Sequence, residues 1–453
     1  MKNFGAAMVL GTGLLLSVPT AASDDVQRLF DLDSFTLDNG LEVVVIENHT
    51  APIVTHMIWY RVGAADEPPG QSGIAHFLEH MMFKGTTTDP DRDFSEEISR
   101  QGGNDNAFTS WDYTAYHQTV AVERLPIVMA LEADRMRNLA LDPAEVLTER
   151  DVIIEERRQR TDSSPSARLG EQMAAARYRN HPYGIPIIGW EHEMETLSIE
   201  QLADFYDTWY APNNAIVVIS GDITAEEARP LVEAAYGDIE ARPVPERVRP
   251  SEPPVDAVTT ISLSDPTVNQ PQWRRIYRVP SYSSTDSNEP YALQVMAEVL
   301  GGTTTSPLYR SLVLEQQLAT SAGAFYSGDN RDYGRLFLFA SPAPETDLAT
   351  LEQALDDLVA EFLSEGPDPD DVAAAKRRLT TAATYARDGF FEPARIVGAA
   401  LSNGESLEAI EEWPLRIAAV TAEETLDVAI GYLRPENGLT GYLLPESVSE
   451  IAQ

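Results

Sequence analysis

The sequence has 453 residues, 43% of them hydrophobic, which is enough apolar chain for two or three packed domains. Its 72 acidic residues outnumber 33 basic ones and give a formal net charge of −39. Such a chain repels nucleic acid and anionic lipid at long range, and its charge is typical of a strongly hydrated surface. Cysteine is absent, so disulfides and thiolate catalysis are excluded, and a metal ion would need His, Asp or Glu ligands.

The first residues follow the pattern of a secretory signal peptide. Lys2 precedes an uncharged apolar run over 4–18, and a segment of small residues follows at 19–23. This order predicts export, with cleavage near Ala22 or Ser23. Because the run is too short for a typical membrane span, we expect a periplasmic or otherwise exported protein without stable membrane insertion. The alternative is an uncleaved N-terminal anchor.

The predicted elements of the first half mix strands and helices. Strand-like runs span 41–46, 53–62, 113–122 and 215–220, and an Asn39-Gly40 turn precedes the first of them. Helical patterns span 73–83, 125–139 and 143–160. Because strands and helices come in blocks, the pattern favours an α+β layered domain over a strict alternation of strands and helices.

Landmarks of the first half recur in the second. Asp142-Pro143 and Asp368-Pro369 each begin a helical pattern, and Pro212 and Pro435 each precede a strand-like run. Their nearly equal offsets predict a duplicated domain of about 220 residues. The prolines crowded into 241–254 are typical of an extended, semi-rigid linker between the two copies.

These boundaries divide the chain into four predicted segments. They are a signal peptide over 1–23, a first domain over 24–240, a proline-rich linker over 241–256 and a second, homologous domain over 257–453. All seven histidines lie in the first half. If both domains share one fold, only the first can hold a histidine-based site.

The segment from His76 to His80 has the spacing of a metal site. Ser72 is a candidate N-cap for the helix that carries it, and Gly85 can end that helix. Residues four apart share a helix face, so both imidazoles can reach one ion, with Glu79 beside them. This is the inverted zincin order His-x-x-Glu-His, in which the carboxylate can act as a general base. The alternative, two surface histidines, fits poorly with so apolar a helix.

A third ligand is offered by the helical pattern over 143–160. Glu149 and Glu156 lie seven residues apart and therefore share a face. The matching positions of the second copy are Ala375 and Ala382, which is the pattern expected of a site present in one half only. The alternative is a solvated stripe of charge, because other charged residues are adjacent.

The segment from Gly73 to Thr86 resembles the active-site helix of the pitrilysin (insulinase) family, near the mitochondrial processing peptidase and the half-size bacterial branch. Residues 102–114 resemble the family's substrate-binding strand, and 149–156 its third-ligand helix. His181 to Gly184 and Gly221-Asp222 resemble later landmarks, so the resemblance covers nearly the whole mature chain. It implies an α+β fold of two homologous α/β-layer domains. Each has a mixed or antiparallel sheet with helices on one face, and together they form half of a clamshell.

The resemblance also assigns roles to single residues. His76, His80 and Glu156 would bind one zinc ion per chain. Glu79 would be the general base. Glu149 would be a carboxylate behind the metal ligands, which fits the need to orient the ligand imidazoles. The activity implied is that of a zinc metalloendopeptidase.

Substrate would bind beside these residues, on the strand that follows. The positions that match the family's substrate strand are Asn106, Ala107, Phe108 and Thr109. An extended peptide that adds to an exposed strand edge is bound mainly through its backbone. The resemblance therefore implies peptides or small unfolded polypeptides as substrates, with broad specificity.

One departure from the family pattern concerns the second half. Active members supply an Arg and, seven residues later, a Tyr that binds substrate, but Val313 and Thr320 occupy those positions here. Arg310 and Tyr326 are close by but out of register. The resemblance therefore implies a zinc-bearing subunit whose homologous partner supplies Arg and Tyr in a heterodimer. The alternatives are a self-sufficient homodimeric peptidase and a non-catalytic, chaperone-like peptide-binding protein.

Overall fold

The computed structural model describes residues 28–255 and 257–446. The predicted signal peptide lies outside these ranges. Every helix within them is too short or too polar to span a bilayer. The described chain forms two sheets, each with its own set of helices.

The first half contains a six-stranded sheet with the order β1-β2-β6-β3-β5-β4. Only β2 and β6 are parallel, and the other neighbours are antiparallel. Its strands are β1 (Asp33–Thr36), β2 (Glu42–Glu47), β3 (Ile53–Tyr60), β4 (Asn104–Thr109), β5 (Thr114–Ala121) and β6 (Ala215–Gly221). Its helices are α1 (Ile74–Met81), α2 (Phe94–Arg100), α3 (Leu125–Asn138), α4 (Pro143–Arg157), α5 (Pro165–Arg177), α6 (Glu191–Met194), α7 (Ile199–Trp209) and α8 (Ala225–Tyr236).

The second half repeats this topology with five strands in the order β7-β11-β8-β10-β9. The strands are β7 (Thr259–Asp265), β8 (Gln272–Pro280), β9 (Ala319–Ser327), β10 (Tyr333–Pro342) and β11 (Gly438–Pro445). The helices are α9 (Glu289–Gly301), α10 (Pro307–Tyr309), α11 (Leu348–Glu365), α12 (Pro369–Ala386), α13 (Phe391–Asn403), α14 (Leu407–Ala419) and α15 (Ala422–Tyr432). The single parallel pair, β7 and β11, occupies the place of β2 and β6. The predicted α+β fold of two homologous domains is confirmed, and β1 is an addition that the sequence analysis missed.

The repeated Asp-Pro landmarks begin helices for the same physical reason in both halves. The Asp142 carboxylate accepts hydrogen bonds from the backbone N–H groups of Ala144 and Glu145. Asp368 accepts one from the N–H of Asp370. A side-chain oxygen that satisfies the first free N–H groups, followed by proline at the first helical position, fixes where α4 and α12 start.

Each sheet is covered on its second face by a helix from the other half. α13 of the second half packs on β3 and β6 of the first sheet, whereas α5 of the first half packs on β7 and β11. The approach of α13 is close, because a Cβ atom on Gly398 would lie 2.1 Å from the Trp59 ring. Each sheet therefore has its own helices on one face, as predicted, and in addition a helix from the other half on the opposite face.

The proline-rich segment has no regular secondary structure, but it is tightly held. Two nitrogens of Arg247 each lie 3.0 Å from an Asp66 carboxylate oxygen, and Arg249 pairs with Asp112 at 3.2 Å. All four side chains are at least nine-tenths buried. Asp112 also accepts a hydrogen bond from the backbone N–H of Arg331 in the second half. Arg249 Nε also lies 3.9 Å from the Asp332 carboxylate of the second half, so the segment binds the two halves together, where the sequence suggested a semi-rigid linker.

Candidate active site

Helix α1 begins one residue later than expected and without a serine cap. Gly73 precedes it with a φ of +87°, and a side chain there would clash with the Ile188 carbonyl at 2.7 Å. The Glu67 carboxylate accepts hydrogen bonds from the N–H groups of Gly73 and Ala75, each at 3.0 Å. Ser72 instead accepts a hydrogen bond from the Trp190 N–H. The predicted Ser72 cap is therefore wrong, and the carboxylate of Glu67, six residues before Gly73, fixes the start of the helix.

Side chains from α1 and α4 converge where these two helices pack. The imidazole rings of His76 and His80 lie 4.7 Å apart, as expected for residues one turn apart on a helix. The Glu156 Oε2 atom of α4 lies 3.8 Å from His76 Nε2 and 3.4 Å from His80 Nε2. One donor atom from each of the three residues falls within 4.8 Å of the other two. The structure thus brings together all three predicted metal ligands.

This donor set fits a zinc ion in chemistry and in spacing. Zinc favours imidazole nitrogen and carboxylate oxygen, and ligand atoms about 2.0–2.1 Å from a tetrahedral ion lie roughly 3.4 Å apart. The two separations from Glu156 Oε2, 3.4 and 3.8 Å, are close to that value, and all three donor atoms lie within 4.8 Å of one another. Burial, together with the positive charge of nearby His80, lowers the pKa of His76 to about 4. His76 is therefore neutral near pH 7. Burial lowers the pKa of His80, but hydrogen bonds to Glu149 and Glu156 outweigh burial and raise it to about 9, so a metal ion would have to displace the proton on Nε2.

Glu149 holds His80 from the side away from Glu156. One Glu149 oxygen lies 2.8 Å from His80 Nδ1, and the other lies 2.7 Å from Lys84 Nζ. Burial raises the pKa of Glu149, but the hydrogen bonds to His80 and Lys84 outweigh burial and lower it overall. The charged carboxylate favours a proton on Nδ1, which leaves Nε2 free for a metal ion.

Glu79 lies on the same helix and is almost fully buried. Its Oε2 atom accepts a hydrogen bond of 2.6 Å from the Thr109 hydroxyl on β4. Burial raises the pKa of the Glu79 carboxyl, and the bond from Thr109 opposes that rise. A carboxylate whose pKa is raised toward the working pH is the better general base. Thr109 was expected to contact substrate, and in the structure its hydroxyl donates a hydrogen bond to the Glu79 carboxylate.

β4 is the edge strand of the first sheet, paired only with β5 among the described strands. Asn106 is exposed on it, and Ala107 is half-buried. The Phe108 side chain packs against Trp59 and Tyr113, with ring centroids 5.4 and 6.2 Å apart, on the sheet face that α13 covers. The open edge of β4 thus lies beside Glu79, whereas the Phe108 ring packs against Trp59 and Tyr113.

The positions that depart from the family pattern lie in the second half. Val313 packs against the second hydrophobic core, and Thr320 is exposed on β9. Of the nearby candidates, Arg310 lies 3.6 Å from Glu315, and the Tyr326 hydroxyl donates to the Pro280 carbonyl at 2.7 Å. Both therefore have partners in their own half.

Sequence reasoning missed three contributions to this site. Lys84 follows His80 by four residues, so the same face-sharing rule could have found it. Arg160 lies 2.6 Å from Glu156 and follows it by four residues, which is a similar signal. The capping role of Glu67 has no local signal, because it depends on how the preceding loop folds back.

Two family models match the chain. One describes the insulinase family, peptidase family M16, and matches residues 42–191; the other describes the M16 inactive domain and matches residues 196–379. A zinc protease, PqqE of Helicobacter pylori, is 33% identical over 330 residues, which cover 71% of this chain and 73% of that protein. The chain belongs to the insulinase family, M16. Another relative, named as the uncharacterized zinc protease YmxG of Bacillus subtilis, is 26% identical over 76% of the chain and 82% of that protein.

Solved structures share this M16 fold. A protease from Helicobacter pylori superposes with a TM-score of 0.84 at 26% identity and covers 92% of this chain and all of its own. The periplasmic protease PqqL of Escherichia coli gives a TM-score of 0.80 at 21% identity, a likeness of fold alone. This match covers 93% of the chain but 48% of PqqL. M16 membership supports zinc protease as the class of activity.

Replacing Lys84 by Met should weaken zinc binding. Without the ammonium group, the Glu149 carboxylate is less firmly placed against His80, and losses of supporting partners typically cost about 10- to 100-fold in metal affinity. Competition with a fluorescent chelator would measure the change. The matched control is Lys84→Arg, which keeps the charge and should stay near the wild type. Unchanged affinity in Lys84→Met would contradict this role.

Proposed function

We propose that the chain is a zinc-dependent endopeptidase, an inverted zincin that hydrolyses peptides or small unfolded polypeptides. The observation that carries this proposal is the convergence of His76, His80 and Glu156 within 4.8 Å, beside the buried carboxylate of Glu79. These three residues would hold one zinc ion. When bound, zinc supplies a Lewis acid that polarises the scissile carbonyl and makes water a stronger acid.

The residues of this chain would supply the proton transfers and the alignment. Glu79 accepts the proton of the attacking water and then donates it to the leaving amine. The Thr109 hydroxyl, 2.6 Å away, holds one Glu79 oxygen so that the other can face the water. Because Thr109 belongs to β4, the base is fixed to the strand along which the peptide lies.

Substrate would add to β4 as an extended strand. The outer edge of β4 offers backbone groups along Asn106 and Ala107 that an extended peptide can pair, once it displaces the Asn106 side-chain oxygen that accepts a hydrogen bond from the Ala107 N–H at 2.9 Å. Such pairing depends little on side-chain identity, so broad specificity follows. Folded proteins have few free extended segments, and this favours peptides and unfolded chains as substrates.

The catalytic unit would be a heterodimer with a homologous subunit that supplies the missing Arg and Tyr. Three observations support this. Val313 and Thr320 occupy their positions, Arg310 and Tyr326 are bonded within their own half, and PqqL is about twice as long as the matched region. The apolar run near the N-terminus supports export, and the fold relative PqqL is described as periplasmic.

Two alternatives remain from different classes of function. A homodimer could use a different group to bind the substrate carbonyl. The second alternative is a non-catalytic peptide-binding protein. It is suggested by a relative by fold from Pseudomonas fluorescens, 15% identical, that is described as an M16 inactive domain. The presence of all four residues His76, Glu79, His80 and Glu156 favours catalysis over mere binding.

The Glu79→Gln variant tests catalysis separately from metal binding. It should keep one zinc per chain and lose at least about a thousandfold in turnover, because the proton acceptor is gone. The His76→Ala variant should lose both zinc and activity. Metal analysis and cleavage of a quenched fluorescent peptide give the two readouts. A wild-type chain that neither binds zinc nor cleaves peptide would favour the binding protein.

The Thr109→Val variant tests the support of Glu79. Valine has the shape of threonine but donates no hydrogen bond, so kcat should fall by about 10- to 100-fold while KM and zinc content stay unchanged. Thr109→Ser restores the donor and should recover most of the activity. If the valine variant turns over normally, or if serine is equally impaired, Thr109 does not position the base.

The partner requirement predicts weak activity from the chain alone. Co-purification from the native periplasm should recover a homologue with Arg and Tyr at the positions of Val313 and Thr320. Adding that homologue should raise peptide cleavage by orders of magnitude, since carbonyl-binding groups typically contribute about 10²–10³-fold. Full activity from the purified chain by itself would contradict the heterodimer.

A further inference from the structure

A cavity of about 460 Å³ lies where α5 of the first half packs over the second sheet. Its walls are mostly apolar. Ile276, Phe325 and Phe337 line it from the sheet, and Phe325 and Phe337 are in ring contact at 4.8 Å. Met173 and Trp111 line it from the first half. Cavities of this volume and lining are typical of small-molecule or side-chain binding sites.

Two arginines in this cavity have no acidic partner among the described residues. The residue Arg177 is 6% exposed, and its Nε atom has no hydrogen-bond partner within 28–255 and 257–446. Burial, together with the nearby Arg278, lowers the pKa of Arg177 to about 10. The Arg335 guanidinium lies over the Trp111 ring, 4.9 Å from its centroid. Both charges remain, because guanidinium groups stay protonated at neutral pH.

The nearby carboxylates are bound elsewhere. Glu171 also lines the cavity, but its two oxygens accept hydrogen bonds from Arg157 at 2.9 and 3.0 Å. Glu252 accepts hydrogen bonds from the backbone N–H groups of 179–181 and lies 3.5 Å from Arg278. The cavity therefore carries a net positive charge within a chain of net charge −39. A buried charge without a partner is costly, so the site is suited to an anionic ligand.

Chain connectivity brings the cavity close to the metal-ligand cluster. Trp111 lies in the turn between β4 and β5, two residues beyond Thr109 and therefore at most about 7 Å away. Thr161, another lining residue, lies five beyond Glu156, about 7.5 Å along a helix. A peptide that pairs with β4 and continues past its C-terminal end would reach the cavity within two or three residues.

We propose that this cavity is a subsite that takes a carboxylate flanked by apolar groups, supplied by the peptide substrate. The two guanidinium groups bind the carboxylate, and the aromatic and aliphatic walls bind the neighbouring apolar atoms. That the ligand is a peptide rests on the proposed function, whereas the preference for a carboxylate next to apolar groups rests on the cavity alone. The carboxylate is either an acidic side chain or the carboxyl terminus of the peptide.

Binding of two small probes tests the cavity without any need for zinc or cleavage. N-acetylphenylalanine carries a ring and a carboxylate, and N-acetylphenylalaninamide differs only in lacking the charge. Titration calorimetry on the wild-type chain should show the acid binding at least about tenfold tighter than the amide. The Arg177→Met and Arg335→Met variants should each bring that ratio near one. Arg229→Met on α8, outside the cavity, is the matched control and should not change it.

Equal binding of acid and amide to the wild-type chain would overturn the proposal, as would an unchanged ratio in both variants. Arg335 is only half-buried, so its variant keeps the test valid if loss of Arg177 prevents folding. A chain that binds the acid selectively but never cleaves peptides would support the cavity and contradict the proposed peptidase.

Peptide binding to the Glu79→Gln variant then identifies the source of the carboxylate. Three labelled peptides share an apolar sequence: one has an internal Glu, one has Gln in its place, and one keeps Glu but has an amidated C-terminus. Weaker binding of the Gln peptide assigns the subsite to an acidic side chain, and weaker binding of the amidated peptide assigns it to the terminus. If both bind as tightly as the first, the cavity does not contact substrate.

Discussion

The packing of α1 against α4 is the contact on which the rest of the site depends. Neither helix carries a complete set of ligands: α1 contributes two imidazoles and α4 one carboxylate, and only their contact brings the donor atoms within 4.8 Å. The start of each helix is fixed by residues that precede it. Glu67 and Gly73 set the start of α1, and Asp142 sets the start of α4. Glu149 and Lys84 then join the two helices a second time.

Much of this could be predicted because the relevant signals are local. The spacing of His76, Glu79 and His80 is a helical pattern that holds whatever the tertiary fold. The Asp-Pro starts of α4 and α12 are equally local, and they revealed the repeat of the fold that the M16 relatives confirm. The absence of carboxylates from the second copy, at Ala375 and Ala382, indicated early that one half alone could bind a metal in this way.

What could not be predicted depends on how the chain folds back on itself, over a few residues in one case and over hundreds in others. Ser72 looked like a cap, but the loop that carries Glu67 takes that place, and periodicity does not reveal where a loop folds back. The proline-rich segment looked like a spacer because its composition is that of one. Its arginines bind Asp66 and Asp112 instead, and such ion pairs depend on tertiary position. The aromatic packing of Phe108 likewise depends on α13, which lies almost 300 residues away in the chain.

The exchange of α5 and α13 between the halves has a consequence for how the protein is made. While the first sheet forms, the helix that covers Trp59 and its neighbours has not yet been synthesised. That apolar face stays open from the completion of β6 at Gly221 until residues 391–403 emerge, so the nascent first half exposes an apolar surface while about 170 further residues are made. Secretion in an unfolded state, with folding only after the whole chain has crossed, would avoid that exposure. The same arrangement makes either half alone a poor unit for expression or for evolutionary recombination, although each has a complete sheet.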